Sequence, residues 1–171
     1  MSIIEKLFCL FAIGITCVNA YLLKSRSKRA IAGNPELKEG YGKLFGGYLI
    51  YLNVPWIVMG SGILVGGVPG VFDYFYPRAG NPFVLAYHAS IVVLLVLGVY
   101  WIYFRGGAEF LVKHPGVINM DMKSAWAFKL LFAVMLLGAV FGMAMMWLSD
   151  LPDPRFEIIA AQQLIRPDGQ F

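Results

Sequence analysis

The chain has 171 residues, 59% of them hydrophobic and only 14% charged, with a mean hydropathy of +0.69. Soluble domains are roughly half apolar and a quarter charged, so the charged side chains here are too few to cover this apolar mass in water. Soluble enzymes, disordered tails and nucleic-acid modules are excluded together, which leaves a membrane protein.

The charge positions define the elements. Residues 7–23, 44–72, 79–104 and 130–149 contain no Asp, Glu, Lys or Arg, and a helix needs about 20 such residues to cross a hydrocarbon core. Ile3 and Ile4 extend the first run with Lys6 snorkelling outward, and the fourth begins near Ser124 with Lys129 doing the same. Runs such as residues 91–97 lack the alternation of a β-barrel strand. The prediction is an all-α, integral membrane four-helix bundle with spans of about 3–23, 44–68, 83–104 and 124–148, followed by a tail over 150–171. Nine Lys and Arg fall between spans one and two or three and four, ten with Lys129, against Lys6, Arg78, Arg155 and Arg166 elsewhere. The positive-inside bias then places both termini outside, in what reads as a bacterial plasma (inner) membrane.

In the first span, residues 7–17 also resemble a signal-peptide core ending at Val18-Asn19-Ala20. Cleavage there would force six basic residues across the membrane, which favours an intact span. Cys9 and Cys17 lie eight residues apart on one helix, about 12 Å along its axis, too far for a disulfide. Beyond the span, Lys24, Arg26, Lys28 and Arg29 put four positive charges into six positions, where anionic lipid is the expected contact.

Ala-Gly-Asn-Pro occurs at 32–35 and 79–82, each time before a predicted helix, so Asn34-Pro35 and Asn81-Pro82 are expected as N-cap and first helical residue. Span two is rich in glycine. Gly62 and Gly66 form a small-xxx-small pair, Gly138 and Gly142 another on span four, and close packing of these two faces is the expectation. Asn53 and Pro55 stand mid-span, where Pro frees the Tyr51 carbonyl and bends the helix, either as a plain kink or as the wall of a binding site. The aromatics Phe72, Tyr74, Phe75 and Tyr76 read as an interfacial belt with hydroxyls in water, or as a lid.

His88 lies about five residues into span three, and an ionisable group at that depth is a functional candidate. Met143 and Met146 fall at similar depth, so His88, Met143 and Met146 form the candidate cofactor set, with haem or a quinone as the group. The plainer reading makes His88 a hydrogen-bonded packing residue, and a proton relay is a third. His114 is expected in the loop on the opposite side, where Arg105 and Glu109 are positioned to pair. A short amphipathic segment is expected at 156–165.

No acid lies well inside a span, and the chain has no H-E-x-x-H, Gly-x-Ser-x-Gly or phosphate loop. No catalytic residue or metal site is therefore assigned. The sequence points to a non-catalytic structural or accessory subunit of a membrane complex, whose partners are the lipid bilayer, anionic lipids and other membrane subunits or a second copy. The alternative is a redox or pigment-type subunit holding haem or quinone near His88.

Overall fold

The computed structural model describes residues 3–117 and 122–148, with side chains from residue 7 onward. The described residues are helical, without strands, and four helices are long and apolar enough to cross a membrane. This is the expected integral membrane four-helix bundle.

α1 (Ile3–Gly33) is an unbroken helix of 31 residues. Its buried positions Cys9, Thr16, Ala20, Leu23 and Ser27 recur at spacings of three, four and seven, which keeps them on one stripe. Most are small, and small residues let helix backbones approach where lipid tails are as apolar as any side chain. α2 (Leu37–Leu64) lies antiparallel on this stripe. Near one end a Cβ on Gly60 would stand 3.3 Å from that of Cys9, and near the other Lys24 Nζ lies 5.6 Å from the Phe45 ring centroid. The two pairs are equally far apart along both helices, so the register runs evenly and sets Thr16 opposite Asn53.

After α2 the chain makes two 3₁₀ turns (Val71–Phe75 and Pro77–Ala79) and enters α3 (Pro82–Val99), which ends in a π turn (Tyr100–Phe104). α4 (Gly107–Lys113) is a short connecting helix, and α5 (Ala125–Leu148) is the fourth span. Two apolar cores result, one at each end of the bundle. Cys9, Met59, Ile63, Val68, Tyr74 and Val84 form the core at the end that holds the start of α1 and the 3₁₀ turns. Ile102, Ala108, Leu111 and Phe128 form the core at the opposite, basic end. Between them the helices turn side chains such as Val18, Ile57, Val96, Val134 and Leu137 outward, as a lipid-facing surface requires.

Several local expectations change. α1 continues ten residues past Leu23, because the basic segment is made largely of good helix formers and Ser27 stays on the packed stripe. Asn81-Pro82 caps α3 as expected, with the Asn81 side chain accepting from Phe83 N at 2.9 Å. Asn34 instead accepts from Glu36 N at 3.2 Å, and α2 starts at Leu37, two residues later than expected. The glycine pairs do not meet: Gly62 is approached by the Tyr74 hydroxyl and Phe83 and Gly66 by Phe83, while Cβ atoms on Gly138 and Gly142 would meet nothing within 4 Å. Phe83, at the start of α3, fills the notch that α5 was expected to fill. Segment 156–165 lies outside the described residues.

Candidate functional site

His88 is 3% exposed, in the second turn of α3. Its position follows from the helix start, because Asn81 and Pro82 fix where α3 begins and so aim residue 88 back beneath the first 3₁₀ turn. There its Nε2 lies 2.9 Å from the Tyr74 carbonyl oxygen, and Trp147 Nε1, from the last turn of α5, lies 3.3 Å from its Nδ1. A carbonyl only accepts and an indole N–H only donates. Nε2 therefore carries the proton, Nδ1 supplies the lone pair, and the imidazole is neutral with both nitrogens engaged. Tyr87 and Trp147 each meet its ring edge to face, at centroid distances of 5.6 and 5.8 Å.

Tyr74 is the other half of this site. Expected in a wetted belt, it is 2% exposed, with its hydroxyl donating to the Met59 carbonyl at 2.8 Å across the gap to α2. Burial, with smaller contributions from Cys9, Tyr87 and Asp73, pushes its pKa up to about 12. Phe72 and Phe75, by contrast, remain exposed and stacked on each other. His88, Tyr74 and Trp147 together tie α2, the 3₁₀ turn, α3 and α5 into one junction.

Met143 and Met146 lie half-buried on α5 within a turn of Trp147. The structure thus brings the candidate set to the same end of the bundle, but the imidazole nitrogens are already taken by a carbonyl and an indole. Haem iron or a quinone carbonyl would have to displace one of those bonds. Among the described residues, no three His, Cys, Asp or Glu side chains converge as a metal site. Cys9 is buried and Cys17 exposed, and both thiols are free.

No family model matches the chain, and neither does any curated protein or solved structure.

A second junction at the basic end was not legible in the sequence. His114, expected in a loop, is 5% exposed at the end of α4. Its Nδ1 donates to the Phe110 carbonyl at 2.7 Å, and the face of its ring lies 4.2 Å from that of Phe110. Its Nε2 points at Gly40, where a Cβ would stand 1.9 Å away, so only glycine allows the first turn of α2 to lie there. Tyr41 closes the junction by donating to the Pro115 carbonyl at 2.6 Å. A glycine one residue before a buried tyrosine was the available signal, but glycines are frequent throughout this chain.

Glu109 pairs with Lys129 of α5 at 2.8 Å rather than with Arg105, and this hydrogen bond holds its carboxyl below the usual carboxylate range. Tyr103 donates to the Lys129 carbonyl at 2.7 Å. At mid-span, Asn53 Nδ2 donates to the Leu49 carbonyl at 2.8 Å, and its buried Oδ1 has no partner among the described residues. Tyr51 reaches across to the Leu94 carbonyl with its hydroxyl. The Asn53 N–H and the Tyr51 hydroxyl thus bind backbone of the chain itself.

Proposed function

We propose that the chain is a structural or accessory subunit of a larger assembly in a plasma membrane of bacterial type, and that α5 is the helix on which other membrane subunits or a second copy pack. The observation that carries this reading is the state of α5. No residue of its most apolar 18-residue stretch is fully buried by the rest of the described chain, in contrast to the other three spans. Gly138 and Gly142 leave a smooth open strip on it, of the kind that lets helices approach closely in lipid. The neutral, fully bonded His88 supports the same reading, since its hydrogen-bonding capacity is used to hold α5 in place.

The test is extraction from native membranes in mild detergent, comparing the wild type with a Gly138→Leu/Gly142→Leu variant. The wild type is expected to copurify with partner subunits or as a multiple of itself. The variant should keep its helix content but run as a single chain. A wild type that runs alone, both after mild extraction and after crosslinking in the membrane, would refute the proposal. The redox or pigment alternative requires His88 to release Trp147 or Tyr74. It would show as an absorption band in the purified wild type that His88→Ala removes, or as a quinone extracted with the wild type alone.

A further inference from the structure

We infer that the basic extension of α1 is a rigid lipid-headgroup binding element with two separate seats for anionic phospholipid, one on each flank of the helix. This goes beyond the subunit reading and is independent of it.

The extension is not a loose arm. Helix α1 continues to Gly33, and Leu23 and Ser27 remain buried on the stripe that faces α2, with Ser27 Oγ donating to the Lys24 carbonyl at 2.8 Å. The four cations are therefore held at fixed angles about the axis. At about 100° per residue, Lys24 and Lys28 fall on one side of the buried stripe, and Arg26 and Arg29 on the other. All four are exposed.

Each flank has a different floor. On the first, Lys24 lies over the Phe45 ring, an aromatic placed where the span ends, so a headgroup seated there would meet two ammonium groups beside an apolar surface. On the second, α1 meets the turn after α4: a Cβ on Gly116 would lie 3.7 Å from that of Arg26. Arg26 and Arg29 stand one turn apart on that side, and guanidinium groups match phosphate oxygens in a two-pronged geometry.

The choice of an anionic partner rests on charge. At this end Glu39 is bonded to Lys43 at 2.7 Å and Glu109 to Lys129 at 2.8 Å. Among the described residues, none of Lys24, Arg26, Lys28 and Arg29 forms an ion pair with an acid. Four cations on one helical frame, without an acid partner among the described residues, stand at the edge of a membrane span beside the headgroup layer, where phosphate is the abundant anion.

The full chain in detergent, titrated with phosphatidylglycerol or phosphatidylcholine and read by native mass spectrometry, tests the inference. The wild type is expected to retain phosphatidylglycerol in preference to phosphatidylcholine, up to two molecules. Lys24→Gln/Lys28→Gln and Arg26→Gln/Arg29→Gln should each remove one retained lipid, with affinity falling about fivefold per cation lost. Equal retention of the two lipids by the wild type, or unchanged retention in both variants, would overturn it. So would displacement of the lipid by millimolar inorganic phosphate, which would make the seats sites for free phosphate. Should a variant lose its helix content, the wild type alone still decides: its preference must weaken as salt is raised, and a salt-independent preference refutes the charge-based seats.

Discussion

The indole N–H of Trp147 donates to Nδ1 of His88 across 59 positions of sequence, joining the last turn of α5 to the second turn of α3. With the Tyr74 carbonyl on the opposite nitrogen, this bond fixes the tautomer of the ring and the place of α5 together. Trp147→Phe removes the donor together with the pyrrole part of the indole, so the expected loss is at least about 0.6 kcal/mol, the mean for hydrogen bonds between membrane helices. His88→Ala leaves an indole N–H and a carbonyl unpaired and is expected to cost about 1–3 kcal/mol. The double variant should cost less than the sum of the two. Unfolding measurements in micelles check this, and strict additivity would mean that the bond contributes nothing.

Close packing and open space around the glycines predict opposite responses to the same substitution. Gly66→Leu must displace the Phe83 ring and is expected to destabilise by about 1–3 kcal/mol. Gly138→Leu meets nothing among the described residues and should stay within about 0.5 kcal/mol in the isolated chain. Thermal unfolding of the two variants side by side tests the contrast. If Gly138→Leu proved the more damaging in the isolated chain, the placement of α5 described above would be wrong.

Tyr74 gives a pH dependence with a definite sign. Its folded pKa of about 12 exceeds the value of about 10 expected once unfolded, so the folded state holds this proton more tightly. The corresponding stability is fully present below about pH 10 and is lost as pH rises through about 12. Unfolding midpoints of the wild type should fall faster over that window than those of Tyr74→Phe. Parallel curves would show that Tyr74 ionises no differently in the folded chain.

Asn53 carries a buried acceptor with no donor among the described residues. Replacing a polar group in that state by an apolar one of similar size removes a desolvation cost, so Asn53→Leu is expected to be neutral or stabilising by up to about 1 kcal/mol. Loss of more than that amount on unfolding in micelles would show that Oδ1 has a donor in the membrane; the Thr16 hydroxyl, opposite in register, donates to the Ala12 carbonyl at 3.0 Å and would have to leave it to serve.

The spans were legible because a charge in hydrocarbon is expensive, so 24 charged residues outline the apolar runs with little ambiguity. Helix ends were less so. Lys24 and Arg29 mark where the membrane stops, yet α1 continues through them, because backbone hydrogen bonding has no reason to end at the headgroups. Asn81 gave the start of α3 because a cap is a local device, and the same motif at Asn34 was misread by two residues. The site was half legible. The depth of His88 singled it out, but its partners come from a loop and a helix far away in sequence, and nothing local predicts that an indole reaches Nδ1. His114 was missed for the same reason, since its burial depends on the first turn of α2.

The separation of the apolar cores to the two ends of the bundle affects how the molecule would meet bilayers of different thickness. Helices joined at both ends, with α3 and α5 turning many side chains outward between them, would change tilt or curvature at mid-span more readily than at either junction. A bilayer a few ångströms thicker or thinner would then be absorbed as a small bend in four rods, at a cost of fractions of a kcal/mol per ångström. The His88 and His114 junctions would ride with the two headgroup layers, each moving as a unit.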